Sequence, residues 1–159
     1  MKLLWQLLII MASANKVHVS LLADKDITTC FQVLSESFGS DAPFVTIYFP
    51  NHATPSGQVQ GSKRLTEWKE SSEDSTFLKA VLSTGDGGAE KIIGLAIWTF
   101  MTEPPSPALE KHENVQEVWP DENDREFMTR LWRDYVVPRT RAIEDSGGKG
   151  AYGQQCSAF

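Results

Sequence analysis

The sequence has 159 residues, of which 41% are hydrophobic and 23% are charged. This length suits one globular domain, and the hydrophobic content excludes a wholly disordered chain. The formal net charge is −6, and a negative protein repels phosphate backbones, so we expect no nucleic-acid partner. No apolar run approaches the roughly 20 residues that a membrane-spanning helix needs, so we expect no membrane span.

The N-terminal segment is strongly apolar and carries one positive charge, and Ala12 and Ala14 follow it as small residues. These features are those of a short secretory signal peptide, although no Asn-x-Ser/Thr glycosylation acceptor occurs in the chain. The alternative is an upstream extension ahead of a start at Met11. We therefore predict that residues 1–14 lie outside the fold and that residues 15–159 form the domain. We expect a cytoplasmic protein, with secretion as the alternative.

The first elements of the domain show clear periodicity. Residues 17–21 alternate apolar and polar side chains, which predicts a strand. From Ile27 to Phe38 the apolar residues recur at helical spacing and Gly39 follows, which predicts a helix that ends there. Cys30 lies on the apolar stripe of this helix, so we expect it in the core rather than as a nucleophile. Residues 55–57 are expected to form a turn, with a helix after it.

Two apolar runs in the middle of the chain predict a hairpin. Residues 77–82 and 91–101 flank a glycine-rich turn at residues 84–88. The second run is apolar on both faces, which predicts a central strand covered on both sides. One face carries Ile93, Leu95, Ile97 and Thr99, and the other carries Gly94, Ala96, Trp98 and Phe100.

The C-terminal third begins with a proline-rich loop that runs to Pro120. Asp121 is expected to cap a long helix, and Pro138 should kink or break that helix. The predicted apolar stripe of this helix consists of Phe127, Leu131, Trp132 and Tyr135. The order of elements predicts a mixed α/β or α+β domain, with a central antiparallel hairpin flanked by helices.

The residues alone assign no catalytic group. His18, His52 and His112 lie far apart and no Cys or His pair has ligand spacing, so we expect no metal site. The chain has no nucleophile elbow and no P-loop. Without further information, the catalytic and cofactor-binding residues are unknown.

The succession of segments resembles the N-terminal half of fungal GNAT-type N-acetyltransferases, from Val17 to about Tyr152. The resemblance rests on segments spread along the chain: Val17-His-Val-Ser-Leu-Leu, Phe49-Pro50, Trp68-Lys69, Phe77-Leu-Lys-Ala-Val, Thr84-Gly-Asp-Gly-Gly, Ile92-Ile-Gly-Leu-Ala-Ile-Trp98, Val118-Trp-Pro-Asp and Gly148-Gly-Lys-Gly150. It implies an incomplete GNAT-like fold in which residues 92–98 form the central fourth strand. The stretch from about Gly150 would be the fifth strand, although it is more polar than a buried parallel strand usually is.

The family's activity is transfer of an acetyl group from acetyl-CoA to an amine. The resemblance implies acetyl-CoA and a small amine as substrates, with Trp98 and Thr99 lining the acceptor side. The family's Arg/Gln-x-x-Gly-x-Gly/Ala loop, which binds the acetyl-CoA pyrophosphate, does not follow the expected fifth strand. We therefore expect an inactive or weak acetyltransferase, with apolar surface that a partner chain covers.

Two other functions are open at this point. The first is a non-catalytic α+β module that binds a small ligand or a protein through the face of Trp98 and Phe100. The second is a small secreted protein in which Cys30 and Cys156 are bridged.

Overall fold

The computed structural model describes residues 16–39, 42–83, 90–111 and 114–158. Within these ranges the protein has four strands, five α-helices and two single turns of 3-10 helix. The strands are β1 (Lys16–Leu21), β2 (Ser75–Ser83), β3 (Lys91–Met101) and β4 (Ala151–Ala158). The helices are α1 (Ile27–Phe38), α2 (Pro43–Tyr48), α3 (Pro55–Ser71), α4 (Val115–Val118) and α5 (Glu122–Asp145). The prediction of a mixed α+β fold is confirmed.

The described strands form one antiparallel sheet in the order β1-β2-β3-β4. β2 and β3 pair from Ser75 opposite Thr99 to Leu82 opposite Lys91, which confirms the two strands of the predicted hairpin. The turn predicted at residues 84–88 lies outside the described residues. Consecutive strands are neighbours in this order, although helices lie between β1 and β2 and between β3 and β4.

β4 pairs with β3 and forms one edge of the sheet. It runs antiparallel to β3, with Met101 opposite Ala151 and Leu95 opposite Ala158, and the register shifts once, between Ile97 and Trp98. The strand expected from about Gly150 is therefore present, and its antiparallel direction agrees with a sequence that is more polar than that of a buried parallel strand. An antiparallel edge strand accepts a polar sequence because one of its faces and one of its edges can meet water.

The main core lies between one face of the sheet and the helices. Leu95 and Ile97 are fully buried on this face, where they join Phe31 and Leu34 of α1 and Leu65 of α3. The helical stripe predicted on α1 is confirmed except at its last member, Phe38, which is 37% exposed. The helix ends at Gly39 with φ 58°, a left-handed conformation that favours glycine. We call this covered side of the sheet the helix face.

The opposite side of the sheet is not covered by any described helix. Trp98 of β3 lies on this side and is 40% exposed, and it neighbours Thr76 across the β2–β3 pair. The prediction that β3 is covered on both sides is therefore wrong for the described residues. The sheet packs against one helical layer, and we call its other side the open face.

α3 begins three residues earlier than the sequence suggested, because the predicted turn at residues 55–57 is its first turn. The Thr54 side chain accepts a hydrogen bond from the Gly57 amide at 3.1 Å, and Pro55 occupies the first helical position. Proline is favoured there because its missing N–H would have no helical partner. Gly57 is also required for packing, since a Cβ atom would stand 1.8 Å from the Asn51 carbonyl oxygen.

α5 starts at its predicted cap, since the Asp121 carboxylate accepts from the amides of Asn123 and Asp124. Pro138 does not break this helix, which continues to Asp145. Pro138 has no N–H to donate to the carbonyl of Asp134. Both residues lie on the exposed side, so water can bind this carbonyl instead.

The apolar stripe of α5 is rotated from the predicted one. Phe127 is 39% exposed, whereas Met128, Val136 and Ile143 are buried. The other three predicted members, Leu131, Trp132 and Tyr135, are half-buried. The shift follows from contact with α2 and the 3-10 turn Leu109–Lys111, which lie over the side of the helix that carries Met128.

The segment before α5 was expected to be a long loop, and it carries a second small core instead. Trp119 is fully buried there and its Nε1 donates to the Ile47 carbonyl oxygen at 2.5 Å. Trp119 thereby attaches the C-terminal third to α2. None of the described helices combines the length and the apolar character that crossing a membrane requires.

Candidate functional site

A cleft with a volume of about 760 Å³ lies within the described structure. It lies on the helix face, between α3 on one side and α5 on the other, above the start of β2 and the end of β3. Its volume falls within the range of small-molecule sites. Aromatic rings and carboxylates dominate its lining: Tyr48, Phe49, Trp68, Trp132, Tyr135, Glu67, Glu73, Asp74 and Glu103.

The α5 wall of the cleft is a stacked pair of rings. Trp132 and Tyr135 lie 5.1 Å apart with an interplanar angle of 18°. Trp132 Nε1 donates to the Ser106 carbonyl oxygen at 2.9 Å, and Arg139 Cζ lies 3.2 Å from the centre of the Tyr135 ring. These contacts hold the two rings in place and present apolar surface to the cleft.

Tyr135 also supplies a hydroxyl. Burial raises the pKa of this phenol above its usual value, and the neighbouring Arg139 guanidinium opposes the shift. The phenol therefore stays protonated at neutral pH, so it is available as a hydrogen-bond donor to a ligand.

The single guanidinium of the cleft lining belongs to Arg64 of α3. Its Cζ lies 4.9 Å from the Tyr48 ring centre, 5.1 Å from that of Phe49 and 5.5 Å from that of Trp119. Its Nη1 donates to the Tyr48 carbonyl oxygen at 2.5 Å. Arg64 thus joins α3 to α2 and to Trp119, which follows α4, and its charge faces the aromatic rings.

Four carboxylates surround the mouth of the cleft and all four residues are exposed: Glu67, Glu73, Asp74 and Glu103. With one guanidinium against four carboxylates, the cleft carries a surplus of negative charge. A concave surface of one sign concentrates counter-ions of the other sign. The arrangement therefore favours a cationic ligand and disfavours a pyrophosphate.

The two residues predicted to line the acceptor side point in opposite directions. Thr99 lies in the cleft, where its Oγ1 is 2.7 Å from the Ser75 Oγ. Trp98 lies on the open face and does not line the cleft. Neighbouring residues of a strand always diverge in this way, so one pocket wall cannot use both side chains.

A buried serine–histidine pair was not anticipated. Ser35 Oγ lies 2.7 Å from His52 Nδ1, and it donates to the His52 carbonyl oxygen at 3.2 Å. Both side chains are buried and neither lines the cleft, so the pair fixes α1 to the turn before α3. His52 therefore has a structural role.

Cys30 is fully buried, as predicted. Burial, with Asp26 as a second contribution, raises the pKa of its thiol to about 11, while Lys79 acts in the opposite direction. The thiol is therefore protonated and unreactive at neutral pH. The side chain of Cys156 lies outside the described residues. Within the described ranges no three His, Cys, Asp or Glu side chains are grouped as a metal site would require.

The sequence analysis singled out some of the residues that line the cleft, but it did not predict that they lie together. Trp132 and Tyr135 belong to the predicted stripe of α5, where they were expected to serve the core. Nothing in the sequence indicated that Arg64 lines a cleft, since arginine is common in a polar helix.

Comparisons with protein-family models, with curated proteins and with solved structures each find no match to this chain.

Proposed function

We propose that the protein binds a small organic amine, in its protonated form, in the cleft between α3 and α5. The observation that carries this proposal is the excess of carboxylates over guanidinium groups around a partly apolar cavity. An ammonium group is attracted by the carboxylates at the mouth. The carbon skeleton of the amine can then contact the aromatic rings.

The aromatic lining suits the same ligand. The face of a tryptophan or tyrosine ring attracts a cation through its quadrupole, and Trp68 and Trp132 both line the cleft. Tyr135 adds a protonated hydroxyl, and Thr99 and Ser75 add two more at the floor. A few polar groups in an apolar cleft are typical of specific small-molecule sites.

The function that these features favour is a non-catalytic binding module. Acetyl-CoA does not fit the described residues, because the carboxylates of the cleft would repel its phosphates. In addition, β3 and β4 stay paired from Leu95 to Met101, which leaves no gap between them for a pantetheine arm.

The second candidate is acetyl transfer from acetyl-CoA to the bound amine, which the sequence resemblance favours. Its structural support is Thr99, which lies at the end of the central strand and lines the cleft. This candidate requires a pyrophosphate site beyond the residues of the cleft.

Calorimetric titration of the full chain with 2-phenylethylamine tests the amine proposal, with 2-phenylethanol as the uncharged control. We expect the amine to bind and the alcohol to bind at least fivefold more weakly. Asp74→Asn and Glu103→Gln should each weaken amine binding by up to about fivefold, since an exposed charge pair contributes up to about 1 kcal/mol.

Glu126→Gln is the matched control, because Glu126 is an exposed carboxylate on α5 outside the cleft. Equal affinity for the amine and the alcohol would contradict the amine proposal. Stabilisation of the chain by millimolar acetyl-CoA in a thermal unfolding scan would instead support the acetyltransferase candidate.

A further inference from the structure

The floor of the cleft carries a polar pair at the end of an apolar row of the sheet. Ser75 of β2 lies directly opposite Thr99 of β3, and both side chains line the cleft. Two residues further along the same row, Phe77 lies opposite Ile97, and both are buried in the main core. Because side chains alternate along a strand, all four point to the helix face. Hydroxyl groups therefore replace apolar side chains where this row leaves the core and enters the cleft.

The backbone holds the hydroxyl pair in a fixed place. The Ser75 amide donates to the Ser72 carbonyl oxygen at 3.3 Å, and the Phe100 amide donates to the Asp74 carbonyl oxygen at 3.0 Å. These bonds fix the start of β2 against the end of β3. The two hydroxyls are thus positioned before any ligand arrives, which lowers the entropy that binding has to overcome.

The mutual hydrogen bond of the pair leaves one hydroxyl hydrogen for a ligand. Ser75 Oγ lies 2.7 Å from Thr99 Oγ1, and either atom can be the donor. Each hydroxyl has a single hydrogen, so one of the two is used in this bond and the other can be donated into the cleft. A ligand that fills the cleft displaces water from this donor, and a donor left unpaired loses free energy. The ligand that binds best therefore supplies an oxygen acceptor at the floor.

The nearest carboxylate places the amine beside this oxygen. Asp74 directly precedes Ser75, so their Cα atoms are about 3.8 Å apart, and both residues line the cleft. An ammonium group on the Asp74 carboxylate and an oxygen on the hydroxyl pair are then separated by only a few ångströms. Two bonded carbon atoms, one carrying the nitrogen and the other the oxygen, span such a separation.

We propose that the cleft selects a vicinal amino alcohol, whose ammonium group contacts Asp74 and whose hydroxyl oxygen accepts a hydrogen bond from the Ser75–Thr99 pair. This inference rests on the proposed function and narrows it from amines in general to one class of amine. Ser75 and Thr99 are then the residues that determine specificity. The rest of the carbon skeleton contacts the aromatic lining, where Trp68 and Trp132 lie.

Calorimetric titration of the full chain with 2-amino-1-phenylethanol tests this specificity. The matched compound is 2-phenylpropylamine, in which a methyl group replaces the hydroxyl. We expect the preferred enantiomer of the amino alcohol to bind at least fivefold more tightly than the matched amine, since one neutral hydrogen bond separates the two. A ratio of affinities near one would overturn the inference.

The double variant Ser75→Ala/Thr99→Val assigns the preference to the hydroxyl pair. Both hydroxyls have to be removed, because either can donate when the other is absent. The ratio of affinities should fall to about one in this variant. Ser71→Ala is the matched control, since Ser71 also lines the cleft but donates its hydroxyl to the Trp68 carbonyl oxygen at 3.2 Å. A ratio that survives in the double variant would overturn the inference.

The two enantiomers of 2-amino-1-phenylethanol provide a measurement on the wild-type chain alone. Contacts of the ammonium group, the hydroxyl and the phenyl ring with three parts of the cleft can all be made by one enantiomer only. We therefore expect the enantiomers to differ by about fivefold in affinity, and equal affinities would overturn the inference.

The same titrations separate this inference from the amine proposal. If 2-phenylethylamine binds more tightly than 2-phenylethanol while the amino alcohol gains nothing, the inference is overturned and the amine proposal stands. If none of the amines binds, both are contradicted.

Discussion

The burial of Cys30 could be predicted from the helical spacing of the apolar residues around it. Its place on the stripe of α1 predicted a core position, and its side chain is fully buried. The rise of its pKa to about 11 required the fold, because the contributions come from burial and from Asp26 at the start of the helix.

The shifted thiol predicts a pH dependence of stability. The unfolded thiol ionises near pH 9 while the folded thiol stays protonated to about pH 11. The folded state then holds more protons, so the free energy of unfolding should fall as pH rises through this window. Urea unfolding at pH 8, 9, 10 and 11 measures the fall, which should be smaller in Cys30→Ala. An identical fall in both proteins would contradict the assignment.

Trp98 and Thr99 show what the sequence does not predict about a single residue. The sequence placed both at the end of the central strand, and the strand is where it was expected. Which of the two faces the cleft depends on which side of the sheet the helices cover, and no local pattern contains that information.

At the scale of elements, the close approach of α1 and α3 explains why glycine occurs inside α3 despite its low helix propensity. Gly61 lies within α3, and a Cβ atom there would stand 1.9 Å from Cζ of the Phe31 ring. The α1–α3 contact is therefore built on the absence of a side chain at this position.

Gly61→Ala should destabilise the protein by about 2 kcal/mol, although alanine favours helix by about 1 kcal/mol. The clash with the Phe31 ring outweighs the propensity. Denaturant unfolding measures the change, and Phe31→Leu provides the matched background, in which the same substitution should cost clearly less. An equal loss in both backgrounds would show that the ring is not responsible.

Neither proline ends its helix, and the reasons differ. Pro55 was assigned to a turn, and it occupies the first position of a capped helix. Pro138 was expected to kink or break α5, and the helix is not broken there. No helical hydrogen bond is lost at Pro55, whereas at Pro138 the exposed Asp134 carbonyl can bind water instead.

At the scale of the whole molecule, one ion pair joins the sheet to the helical layer. Lys79 Nζ of β2 lies 2.5 Å from Asp26 Oδ2 at the start of α1, and the two side chains are only 18% and 17% exposed. Lys79 points to the helix face, opposite Leu95. A mostly buried charge of this kind depends on its partner.

Lys79→Met should therefore lower the free energy of unfolding by about 2 kcal/mol, because Asp26 is left without its counter-charge. In the double variant Lys79→Met/Asp26→Asn the loss should be smaller than the sum of the two single losses. Urea unfolding of the four proteins gives this coupling. Additive losses would mean that the pair contributes nothing to joining the layers.

The sequence by itself determined β1, the hairpin strands, α1 and its end at Gly39, the cap of α5 and the mixed α+β class. These features depend on alternation, helical spacing and capping, which act over a few neighbouring residues. The tertiary structure decided the direction of β4, the side of the sheet that the helices cover, and the cleft. The cleft joins side chains from α2, α3, β2, β3 and α5, so its charge and shape arise only when distant segments pack together.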